Sequence, residues 1–243
     1  MSINNRELFK NNRLTEAICQ FTFQSAIDES LLESFWLEMQ KTKIYTEKTI
    51  SPLVHFNINL QDRIPQQEIF NGLKIENVLH NKVIQVFSGN ISIHQVGNYE
   101  SWEAFSTDVK LVLTAFRKIF NQAITRVDLR AINTFDLEKN QDSNKYFKVG
   151  INYPTDNPYN YNFTIEQVFE ANTKFGVIRG NSYNINEKVR KFLLDLNYVH
   201  LCMGVPIDLS DTSSIYKILE DGHLILHDLF NKSITEETKN LIR

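Results

Sequence analysis

The chain has 243 residues, 42% of them apolar and 23% charged, which is enough for a sizeable core in one domain or two small ones. Its 26 basic and 29 acidic residues sum to −3, with a pI near 6.1, so it lacks the basic excess of a dedicated nucleic-acid binder. Cys19 and Cys202 are too few for a disulfide scaffold and point to a reducing cytoplasm. No signal-like run opens the sequence and no apolar stretch reaches membrane-span length, so the expectation is a soluble intracellular protein with no membrane partner.

Taken in chain order, residues 1–13 are polar and read as a loose arm. "AICQFTFQ" (17–24) alternates, with Cys19, Phe21 and Phe23 on a greasy face, and predicts a strand. Asp28 can cap a helix in which Leu32, Phe35, Trp36 and Met39 recur at helical spacing. Residues 50–60 read as a strand with Pro52 near its start, where a missing N–H is tolerated. Gly89-Asn90 lies between two alternating runs and predicts a β-hairpin over 82–96 with a type II′ turn.

A helical stripe follows, formed by Trp102, Phe105, Val109, Val112, Phe116 and Ile119. Glu100 and Glu103 fall at its start and Arg117 and Lys118 at its end, as a helix dipole favours. "RVDLRAIN" (126–133) is the next strand, and residues 136–162 then lose all periodicity. A loop of that length is expected to be functional or disordered. Strands resume at 163–170, 174–180 and 196–203, followed by a helix over about 212–231. Ser233 with Glu236 offers a capping box for a short last helix.

The hairpin and the short connections favour antiparallel pairing over βαβ crossovers. The expected fold is therefore α+β, an antiparallel β-sheet with packed helices in a single domain over 1–243. The element order also admits two similar β-α-β(n)-α halves, 14–122 and 123–243, though the shared period is too loose for a sequence repeat.

Candidate chemistry is sparse. His223 and His227, four apart on a helix, could share a metal in a hydrolase or nuclease, or simply flank the apolar stripe with half-buried rings. His200 and Cys202 share a strand face but lack an orienting third group. Phosphate-cradling glycine motifs are missing, and no cofactor is expected. Lys188, Arg190 and Lys191 form a short basic stretch, the candidate for direct nucleic-acid contact or for a merely solvated face. Tyr153, Tyr159 and Tyr161 could supply interface area from the 136–162 loop. Arg126, Asp128 and Arg130 share one strand face, away from Asn133, and could pair along the row as a structural network or meet a partner.

Three stretches, "LTEAICQFTF" (14–23), "YESWEAF…ITRVDLRAIN" (99–133) and "HDLFNKSITEETKNLI" (227–242), resemble a sporadically distributed, uncharacterised bacterial family of about this length. The family occurs near mobile and defence loci, including CRISPR effectors and toxin-like genes. The resemblance carries no catalytic residues. It implies an accessory protein of an antiphage system that binds a larger effector such as a Cas9-type nuclease, with nucleic acid reached through that effector. A non-enzymatic homodimer is the expectation, with Arg126, Asp128, Arg130 and Asn133 as framework or interface residues.

Overall fold

The computed structural model describes the backbone of residues 13–58, 65–138, 145–148, 161–169, 174–184 and 189–242, and the side chains among these outside 53–58, 65–69, 138, 161–169, 174–184 and 189–190. The strands are β1 (Leu14–Phe23), β2 (Glu47–Ile58), β3 (Pro65–Asn77), β4 (Lys82–Phe87), β5 (Asn90–Val96), β6 (Ala123–Glu138), β7 (Tyr161–Phe169), β8 (Lys174–Asn184), β9 (Val189–Leu201) and β10 (Ile207–Asp208). The helices are α1 (Leu32–Gln40), α2 (Trp102–Ile119), α3 (Thr212–Ser233) and α4 (Glu236–Ile242).

All ten strands join one sheet of order β2-β3-β4-β5-β1-β6-β9-β8-β7, with β10 pairing against the start of β6. Every pairing is antiparallel, and the fold is α+β as the short connections predict. From the central pair β1–β6 the chain goes out to each edge and meanders back, so that β5 returns to β1 and β9 to β6. A helix follows each return, α2 after β5 and α3 after β9 and β10.

The helices share one face of the sheet, the one that is continuously apolar along the central strands β1 and β6. On β1 it carries Cys19, Phe21 and Phe23, all buried, opposite Leu129, Val127 and Ile124 of β6. Phe23 stacks on Phe116 of α2 at 5.0 Å, and Phe35 of α1 meets Phe116 edge-on at 5.4 Å. On the other side, α3 lies so close to β9 that a Cβ on Gly222 would sit 2.5 Å from the Tyr198 ring. The starts of α2 and α3 follow the capping chemistry. Ser101 accepts from the Ala104 amide, and Asp211 accepts from that of Ser214. Asp28 instead accepts from the Ser30 amide and caps a 3₁₀ turn ahead of α1, whose own start has no side-chain cap.

Several expectations are corrected. The 82–96 hairpin forms, but its two-residue turn is Ser88-Gly89 rather than Gly89-Asn90, and Gly89 is not in the left-handed region. The Ser88 and Gly89 carbonyls instead accept from Ile27 and Phe23, tying the turn to the end of β1. The capping box fails because Ser233 closes α3, its hydroxyl donating to the Leu229 carbonyl. Thr235 takes the capping role for α4, its hydroxyl accepting from the Thr238 amide.

The 136–162 stretch is not one loop. β6 continues to Glu138, β7 begins at Tyr161, and between them Phe147 is buried, stacking on Phe192 at 3.9 Å and meeting Phe135 at 5.0 Å. Phe147 also bridges to Ile234, so this segment is pinned to the end of α3.

Candidate functional site

The helix-free face of the sheet gathers the charged row. Arg126 forks Asp128, its Nε and Nη2 donating at 2.7 and 2.6 Å. Arg130 does not continue the row. It forks Asp195 of β9 instead, with both bonds at 2.7 Å, so the expectation of pairing along one strand holds for one arginine only. The β6–β9 register explains the choice: Ile132 lies opposite Asp195 and Arg130 opposite Asn197, which puts the Asp195 carboxylate one diagonal step away.

The two carboxylates are buried, Asp195 being 2% exposed and Asp128 7%, while the arginine side chains remain 37% and 42% exposed. Each carboxylate holds its guanidinium above the ordinary arginine pKa, through the hydrogen bonds first and charge second. Asn197 donates to Asp128 at 3.5 Å, while its buried Oδ1 finds no partner among the described residues. Asn133 points to the other face, as its position in the strand predicts, and donates there to the Leu194 carbonyl at 3.3 Å. Sequence reasoning missed Asp195, although a lone Asp within "FLLDLNYV" is a usable signal for a buried ion pair.

Further along the same face, His94 Nδ1 lies 2.8 Å from Glu16 Oε1, and His94 Nε2 lies 2.8 Å from the Ser92 hydroxyl. The order carboxylate, imidazole, hydroxyl matches a nucleophilic triad in connectivity. Ser92 is 3% exposed in a strand paired on both sides, which denies it both substrate access and convergent oxyanion donors. The network ties β1 to β5.

Behind the sheet, on the helix side, a cleft of about 530 Å³ opens between the first turn of α2 and the second half of α3. Its floor is Ala17 and Ala131, which face each other across the β1–β6 pair. Trp102 bridges its walls, stacking on His223 at 4.4 Å and 4° while its Nε1 donates to Glu220 at 2.9 Å. His227, one turn on, also lines the cleft and contacts Asn231. The two candidate metal ligands thus reach one cavity, but among the described residues no three His, Cys, Asp or Glu side chains gather to hold an ion.

The remaining candidates separate. Burial pushes the Cys19 thiol well above its ordinary pKa, and Cys202 is raised for the same reason, which disfavours the thiolate form at both. Tyr153, Tyr159 and Lys188 lie outside the described residues, and only the backbone placement of Tyr161 in β7 and Arg190 in β9 is described. Lys191 sits opposite Asp136 with 3.9 Å between their charges. Among the described residues no helix is long and apolar enough to cross a membrane. No known protein family matches the chain, and no curated protein matches it significantly.

Proposed function

We propose that this chain is a non-enzymatic accessory protein of the cytoplasm, homodimeric, that engages a larger protein effector through the helix-free face of its sheet. The observation that carries the reading is the pair of arginine forks. Arg126 and Arg130 stand half-exposed over buried carboxylates that fix their planes, so little side-chain entropy remains to be lost on contact. Rigid, partly exposed arginines are favoured at the centres of protein interfaces. The resemblance of the three quoted stretches makes a nuclease of the Cas9 type the proposed effector.

Light scattering over a wide concentration range and a pull-down from the native host test the proposal. A dimer mass and a stoichiometric large partner are expected. Arg130→Gln with Asp195→Asn removes both charges of one fork together and should release that partner while leaving the fold intact. A concentration-independent monomer that recovers no partner sinks the reading.

A further inference from the structure

We infer that the cleft between α2 and α3 binds a small, uncharged, largely apolar ring compound. Its volume of about 530 Å³ falls in the range of small-molecule sites, roughly 300–1,000 Å³. The space exists because of two particular residues. Ala17 and Ala131 oppose each other on the inner face of the central strands, where the adjoining positions carry Cys19, Leu129 and Leu196. Among the described residues, the helices on either side leave the seam above these alanines unfilled.

Ligand class follows from what lines the space. Trp102 and Phe105 meet at 6.2 Å and 52°, and Tyr99 and Phe105 at 6.2 Å and 53°, giving a concave aromatic corner on the α2 side. Leu226 and Phe230 of α3 complete an apolar wall opposite. The charged side chains that border it, Arg13, Glu100 and Glu103, are all exposed. Arg130 reaches the lining from the floor strand, but its guanidinium is held by Asp195 on the other face of the sheet. Among the described residues the cleft interior holds no permanently charged group to offset a ligand's charge, so a charged ligand would lose its hydration uncompensated. His227 and the buried Asn133 remain as inward polar groups able to orient a neutral one. This site lies on the opposite face from the arginine forks and does not depend on the proposed partner.

The test uses the full chain with N-phenyl-1-naphthylamine, an uncharged fluorescent ring compound. The chain has two tryptophans, so Trp36→Phe leaves Trp102 as the sole reporter in the cleft wall. Saturable one-to-one binding is expected, with quenching of Trp102 emission and a raised melting temperature. Ala131→Leu fills the floor and should weaken binding at least tenfold with an unchanged circular dichroism spectrum. Should that variant fail to fold, Ala17→Val fills the same floor from β1 with a smaller group and should weaken binding in the same direction. The sulfonated analogue 8-anilinonaphthalene-1-sulfonate should bind at least tenfold more weakly than the neutral probe. Non-saturable binding, or equal affinity in the filled variants, overturns the site. Equal affinity for the sulfonated analogue overturns its preference for neutral ligands.

Discussion

Asp195 is the residue on which the charged face turns. It is buried beneath Arg130, and the fork supplies two charge-assisted hydrogen bonds. Arg130→Ala leaves that carboxylate without its guanidinium and should cost about 3 kcal/mol, the low end for a broken buried pair because the arginine itself is half-exposed. The neutral pair Arg130→Gln with Asp195→Asn should cost clearly less, and urea denaturation of both variants checks the difference. Aspartates that accept hydrogen bonds at turns and helix starts set a second residue-scale effect. The carboxyls of Asp28, Asp208 and Asp211 are held below the usual range by hydrogen bonds from Ser30, Ser210 and Ser214. A depressed folded pKa contributes stability that is present above the unfolded value, about 3.9, and is lost as pH falls through the folded value. Asp211→Ser keeps the cap without the carboxyl. Its melting temperature should therefore fall less than that of the unaltered chain between pH 6 and pH 3.

At the scale of elements, two close approaches fix how the helices and connections sit. Alanine ordinarily favours a helix over glycine by about 1 kcal/mol. At Gly222 the order should reverse, because a Cβ there would lie 2.5 Å from Tyr198 Cδ1 and 2.8 Å from Leu129 Cδ1. Gly222→Ala should destabilise by roughly 1–3 kcal/mol in chemical denaturation, the usual range for overpacking. Phe147→Ala should cost about 3–5 kcal/mol by the same measurement, since the ring is buried between Phe135 and Phe192. These are also the elements the sequence hid. Phe147 stands in a polar, aperiodic stretch, and nothing local shows that it reaches Phe192. The strand β3 escaped for another reason. Over its described side chains, residues 70–77, the buried positions are 70 and 72, then 73, 75 and 77, so the alternation changes phase at Gly72–Leu73. By contrast α2 was fully legible, because Trp102, Phe105, Val109, Val112 and Phe116 lie on one helical stripe and all are buried.

For the whole molecule, the sheet order predicts a gradient of stability. β1 and β6 pair on both sides and lie under the helices, whereas β2 and β7 are the outer strands of the sheet path. Amide exchange followed by mass spectrometry should give the strongest protection in β1 and β6 and the weakest in β2 and β7. Uniform protection across the sheet would contradict a centre built on β1–β6. The same layout places the two candidate surfaces back to back. One is the polar face with its arginine forks, and the other is the cleft over Ala17 and Ala131.

What the sequence by itself determined is the class of the fold, the alternating strands, the stripe of α2 and the position of Arg126, Asp128 and Arg130 on one face. These are local properties, written in the period of 2 or 3.6 residues with which side chains return to one side. Only the tertiary structure decided that Arg130 pairs with Asp195, 65 residues away, rather than with Asp128. It alone brought Ala17 opposite Ala131 to make the floor of a cleft, and it alone set Trp102 against His223. The physical reason is register. Which residues face one another across two strands depends on how the whole sheet is threaded, and no local period records it.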